Sequence, residues 1–121
     1  MTDRRQWCAA LFGTIDARDS GGFAAYLTPD AQFRYGSAPA VSGSAAIVQA
    51  LDGFFASIAA LSHRVTDLWE VAGHLICRGE VTYTRLDGQT VTAPFCNVFT
   101  MCDERVSHYE IYLDPTPLSA P

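Results

Sequence analysis

"GEVTYTRLDGQTVTAPFCNVFTM", residues 79–101, holds two alternating runs separated by a turn. Val81 and Tyr83 alternate with threonines before the turn. Val91, Ala93, Phe95, Asn97, Phe99 and Met101 share one parity after it. A period of two in β-branched and aromatic residues is strand chemistry, and "LDGQ" offers the Asp-Gly pair that closes a hairpin. This hairpin is the centre of a longer series. Strands are expected at 62–72, 74–86, 89–102 and 105–113, with Gly73 and "CDER" at the other two turns.

Upstream the period is helical. Trp7, Cys8, Leu11, Phe12 and Ile15 fall on one helical face, and Asp3 with Gln6 resembles a capping box, so a helix is expected over about 3–18. "DSGG" interrupts it, and 23–27 should form a second, short helix. "AQFRYG" reads as a strand with Ala31, Phe33 and Tyr35 on one side. Ile47, Leu51, Phe54, Phe55 and Ile58 then recur with helical spacing, and Ser42 or Ser44 is the expected N-cap. Helices followed by an antiparallel meander define an α+β fold, a curved antiparallel sheet wrapped around helices. A sheet that wraps a helix without closing leaves a cone with an interior cavity, suited to a small apolar ligand.

The chain's 121 residues suit one domain, 1–121, in which the Pro-rich tail 115–121 cannot extend a ladder and should lie on the surface. Apolar residues make up 49% and charged residues 17%, a globular balance. The net charge is −5, with eight scattered arginines and no lysine. No basic stripe is available to neutralise phosphates, which argues against nucleic acid as a partner. The apolar stretch after Arg4 and Arg5 is too short and interrupted for a membrane span, and no small-residue cleavage site follows it. A cytoplasmic protein that does not engage membrane is expected. Cys8, Cys77, Cys96 and Cys102 lack C-x-x-C spacing and read as free, mostly buried thiols. The ligand-capable residues do not cluster in sequence, so neither zinc nor another metal is expected.

"TIDARD…FAAYLTPDAQFRYG…VSGSAAI" followed by "GEVTYTRLDGQTVTAPFCNVFTM…HYEIYLD" resembles the SnoaL-like branch of the nuclear transport factor 2-like superfamily, over about residues 7–114. The resemblance implies a cone-shaped α+β barrel of the nuclear transport factor 2-like, or cystatin-like, type. It also implies a homodimer joined through the outer face of the sheet. The superfamily holds polyketide cyclases, scytalone dehydratase, limonene epoxide hydrolase, ketosteroid isomerase and many members with no assigned reaction, so the fold does not name the function.

Against the epoxide hydrolase pattern, the Arg-x-Asp element falls on Arg78-Gly79-Glu80, the second aspartate on Ile111, and the tyrosine and asparagine on Phe33 and Tyr35. Too much of that set is lost for its mechanism. The scytalone dehydratase pattern matches Asp16, Tyr35, His63 and Asn97, but its second tyrosine is Ile15 here and its second histidine has no counterpart. Ketosteroid isomerase chemistry needs a carboxylate base with a tyrosine and a protonated carboxylic acid as donors. Tyr35 or Tyr109 could donate, but no pair of carboxylates fits.

The residues themselves narrow the chemistry further. Asn97 is the only polar member of its strand parity. Its amide either satisfies a loop backbone or orients a ligand oxygen, since an unpaired amide costs about 1–3 kcal/mol. In "LSHRVTDLW", His63, Val65, Asp67 and Trp69 share one parity, which aims His63 at the apolar side. His63 reads equally as a core histidine bonded to a carbonyl and as an acid/base group, less well as a metal ligand. Asp16, near the end of the first helix, could orient it. For Arg78 and Glu80 two arguments conflict. Alternation buries Leu75, Cys77, Val81 and Tyr83 and exposes the pair, whereas the resemblance places the pair inside.

The expected function is therefore an enzyme that needs no organic cofactor. It would move a proton on a small apolar carbonyl or polyketide-like molecule as a cyclase, isomerase or dehydratase. His63, Asp16 and Tyr35 would be the catalytic set, and Asn97, Phe95, Trp69, Phe55, Arg78 and Glu80 would line the substrate. The alternative is a non-catalytic ligand-binding or dimeric assembly module.

Overall fold

The structure, a computed structural model, describes residues 3–119. Its first helix, α1 (Arg4–Asp16), buries Trp7, Cys8, Leu11, Phe12 and Ile15, the stripe that the period marks. Asp3 caps it, accepting from the Arg5 backbone N–H at 2.9 Å. The second helix, α2, runs Ser20–Ala24, earlier than the 23–27 expected. Asp19 starts it by accepting from the Gly22 N–H, and Leu27 is released into a strand. The third helix, α3 (Ser44–Ala56), is capped by neither serine. Gly43, at φ 91°, is the cap residue. Ser42 pairs with Gln32 in a short strand, and Ser44 is already helical.

The strands are β1 (Leu27–Tyr35), β2 (Val41–Ser42), β3 (Ile58–Val71), β4 (His74–Arg85), β5 (Thr90–Cys102) and β6 (Arg105–Tyr112). They form one sheet in the order β2-β1-β6-β5-β4-β3. All neighbours are antiparallel except β1 and β6, which run parallel, so the sheet is mixed. The meander β3 to β6 closes through short turns. Ala72 and Gly73, at φ 50° and 79°, make the tight turn between β3 and β4 that right-twisted strands prefer. A one-turn helix, α4 (Thr116–Ser119), ends the described chain and packs Leu118 against the core.

The helices and the concave face of the sheet share one core, including Trp7, Leu11, Phe23, Ile47, Leu75 and Phe99. Full burial of each such side chain contributes roughly 1.5–3 kcal/mol. In β4 the buried set is Leu75, Cys77, Gly79, Val81 and Tyr83, as alternation requires. Strand β3 departs from alternation. Val65 faces Gly79 and Asp67 faces Arg78, which leaves Thr66 as an extra, unpaired residue, a β-bulge. His63 and Val65 before the bulge lie opposite inward Val81 and Gly79. After it, Leu68 lies opposite buried Cys77, and Asp67 and Trp69 turn outward.

Gly79 makes this possible. A Cβ there would stand 1.9 Å from the Arg64 carbonyl oxygen, so the bulged backbone can approach only a glycine.

Candidate active site

His63 is the centre of the site. Its Nδ1 lies 2.6 Å from Asp16 Oδ1, and its backbone N–H donates to Asp16 Oδ2 at 3.0 Å. The carboxylate, near the C-terminal end of α1, thus holds both the ring and the main chain of β3. A carboxylate accepts, so in the neutral imidazole the proton sits on Nδ1 and Nε2 carries the lone pair. Phe12 stacks on the ring at 4.5 Å between centroids, and Phe95 meets it edge-on at 5.5 Å. These contacts leave the side chain 9% exposed and restrict the ring to one plane. Among the described residues Nε2 has no hydrogen-bond partner, and it is not among the sealed, unpartnered atoms.

His63 borders a cavity of about 240 Å³ inside the cone. Phe54, Phe55, Leu61 and Ile111 supply apolar walls, and Ala38, Pro39 and Val41 stand at its edge. Its polar groups are few. Tyr35 and Tyr83 share a hydrogen bond between their hydroxyls at 3.1 Å, and Tyr109 also lines the space. Burial pushes the Tyr35 hydroxyl above the ordinary phenol range, although its bond to Tyr83 works against the shift. Burial raises Tyr83 further, with the charge and hydrogen bond of Tyr35 adding to it. Complete burial raises Tyr109 as well. All of these phenols are neutral donors at physiological pH.

The expected site residues separate into those that meet at the cavity and those that do not. His63, Tyr35 and Phe55 line it, and Asp16 touches it only through His63. Phe95 stands behind His63, and neither it nor Asn97 lines the cavity. Asn97, 1% exposed, donates from Nδ2 to the Tyr109 hydroxyl at 3.2 Å, so it acts on the space through that tyrosine. Its Oδ1 is buried and unpartnered among the described residues.

Three further expectations, for Trp69, Arg78 and Glu80, are corrected. Trp69 is 46% exposed, because the bulge inverts its parity. Arg78 binds Asp67 at 2.7 Å, and Glu80 binds Arg64, both on the convex face. Alternation is therefore right about Arg78 and Glu80, and the resemblance is wrong. Tyr83, missed as a site residue, was signalled by its inward parity in β4.

Elsewhere, Cys8 and Cys77 are buried, Cys96 is half-buried and Cys102 is exposed, all free, so only half of the thiols are buried as expected. Among the described residues no group of three or more His, Cys, Asp or Glu converges as a metal site. None of the described helices is long and apolar enough to cross a membrane.

A curved six-stranded sheet wrapped over helices in this order is the architecture of the nuclear transport factor 2-like class. The chain belongs to the SnoaL-like domain family, whose profile matches residues 6–109. No curated protein matches it. Solved structures similar to it include an NTF2-like protein of unknown function from Burkholderia pseudomallei K96243. That protein is 18% identical, with 98% of this chain and 95% of that one covered and a TM-score of 0.86. A second is TerC, co-crystallised with polyporic acid, at 21% identity, 94% and 93% coverage and a TM-score of 0.81. A third, from Jannaschia sp. CCS1, is provisionally named a SnoaL-like polyketide cyclase. It is 19% identical, with 97% and 92% coverage and a TM-score of 0.82. At these identities the likeness is one of fold.

Proposed function

We propose that the cone cavity binds a small, largely apolar molecule bearing a carbonyl or enol oxygen and moves a proton on it. The reaction class is cofactor-independent isomerisation, cyclisation or dehydration. The observation that carries this reading is the His63–Asp16 pair, whose imidazole lines an apolar cavity and whose Nε2 has no hydrogen-bond partner among the described residues. Asp16 holds the tautomer in which Nε2 is the base, and the imidazolium formed on proton uptake is stabilised by the same carboxylate. Where negative charge develops on the substrate oxygen, Tyr35 or Tyr83 donates, because the pair spends one hydroxyl hydrogen on itself and keeps one free. Tyr109 is a further donor. A positioned acid/base group contributes on the order of 10²–10⁴-fold.

The test needs no known substrate. Small apolar ketones are incubated with the protein in D₂O, and deuterium at the α-carbon is followed by NMR. The expected result is incorporation by the native chain and none by His63→Ala. Ketones that bind without exchanging would instead assign the cone to a non-catalytic binding module.

The same reading includes a homodimer across the convex face of the sheet. Trp69, Val71 and Tyr112 are exposed there, and Ile76 and Val98 are only partly covered. Light scattering should give twice the chain mass at micromolar concentration, and a monomer would overturn the dimer. The free thiols fit a reducing, cytoplasmic setting.

A further inference from the structure

A second hollow lies on the other side of His63. It is a cleft of about 380 Å³ between α1 and the bulged stretch of β3, and its lining includes Arg5, Gly13, Asp16, Thr66 and Asp67. His63 is the one residue common to the lining of this cleft and of the cone cavity. The two spaces differ in chemistry. The cone is walled by apolar and aromatic side chains, whereas the cleft carries two carboxylates, a guanidinium and a hydroxyl. Arg5, Ala9, Gly13 and Thr66 are exposed, so the cleft opens to water, and Asp16 keeps 27% of its side chain accessible. The imidazole is therefore a partition with one nitrogen committed to the wet side, through Asp16.

We infer that the cleft is the proton-exchange port of the site, through which His63 trades protons with solvent while a substrate fills the cone. This rests on the reading of His63 as the proton-transfer group. A proton leaving the substrate bonds to the Nε2 lone pair and gives the imidazolium, which Asp16 stabilises, and the Nδ1 proton of that ring exchanges with water in the cleft at the Asp16 carboxylate. On return, Nε2 gives its proton to the product, and Nδ1 keeps the proton it has exchanged. One proton enters as one leaves, and no heavy-atom bond of the protein changes. The charged and titratable groups around this path are Asp16, Arg5 and Cys8 from α1 and Asp67 from β3. The bulge keeps the path open, since Thr66 is the residue it adds to the rim.

The structure offers a way to plug the cleft without touching the dyad. A Cβ built on Gly13 meets nothing within 4 Å, and the position is helical, so Gly13→Leu fills the cleft without backbone strain. Ala9→Leu, from another exposed lining position of α1, is the second plug. Ala50→Trp, at the edge of the cone cavity, is the opposite control.

The readout is solvent exchange of the His63 imidazole protons, followed by NMR on histidine labelled with nitrogen-15 and with no substrate present. Either cleft plug should slow exchange by about tenfold or more, while Ala50→Trp leaves it within about twofold. If both cleft plugs fold and neither slows exchange, or if Ala50→Trp slows it as much, the port is refuted. Because no turnover is measured, a failure of the ketone test leaves this result readable, and the reverse also holds.

Discussion

The two halves of β3 obey different rules. From Leu61 to Val65 the strand alternates as its sequence does, and Leu61 and His63 face inward at the places their parity gives. From Asp67 to Val71 the pattern is inverted, with Trp69 and Asp67 outside and Leu68 inside. One inserted residue separates the halves, and it changes which side chains can do chemistry. Had the strand run straight, Asp67 and Trp69 would crowd the concave side beside His63. Instead the wall beyond His63 is Val65 and Leu68, Asp67 is held by Arg78 at the rim of the cleft beside α1, and Arg64 pairs with Glu80 on the convex face. An alternation argument is local and carries no memory of a bulge.

The largest effect should come from removing the feature that admits the bulge. Gly79→Val puts a side chain where the Arg64 carbonyl already stands, and backbone cannot yield as a flexible side chain can. A loss of about 3–5 kcal/mol is expected by urea denaturation. Near wild-type stability would mean that the two halves of β3 are not locked by this contact. Next comes the inward half. His63→Ala removes a ring packed between Phe12 and Phe95 and leaves Asp16 without its side-chain partner, for a loss of about 1–3 kcal/mol. Asp16→Asn keeps more of the packing, and should lower proton transfer by at least about 10² while costing less stability.

A third expectation concerns alkali. Tyr35, Tyr83 and Tyr109 have hydroxyls raised above the ordinary range by burial, so the unfolded chain releases these protons first. Their contribution to stability is fully present below about pH 10 and is lost as pH rises beyond it. Phenolate absorbance of the native protein should therefore lag behind that of the urea-unfolded chain. Coincident titration curves would show the cone to be wet. The smallest effect belongs to the outward half. Trp69→Ala should change the stability of the monomer by no more than about 0.5 kcal/mol. On the same face the Arg78 guanidinium and the Thr66 hydroxyl hold the Asp67 carboxyl below its usual range. Arg78→Ala should move the Asp67 titration upward by NMR, and an unmoved titration would mean that the pair is not formed in solution.

Much of the fold is readable in the chain because it rests on short-range periodicity. The stripe from Trp7 to Ile15 makes α1, the alternation in β4 and β5 picks the buried face, and Asp-Gly and Gly73 set the turns. The parallel pairing of β1 with β6 is not readable, since strand order joins residues some 80 positions apart, as in Phe33 with Tyr109. In the site, the residue types at Asp16, Tyr35 and His63 could be proposed from the chain, with the resemblance as guide. That Asn97 stops one side chain short of the cavity could not, because parity says which face a residue takes and not what stands in front of it.

By itself, then, the sequence determines the class of fold, the inward face of most strands and the chemical groups available to a pocket. The tertiary structure alone decides where the β3 parity breaks, that His63 lines both an apolar cavity and a polar cleft, and that Arg78 and Glu80 belong to the outer surface. The physical reason is one of range. Helical and strand periods are set by neighbours along the chain, whereas a bulge, a cavity and a bond such as His63 to Asp16 depend on atoms that only packing brings together.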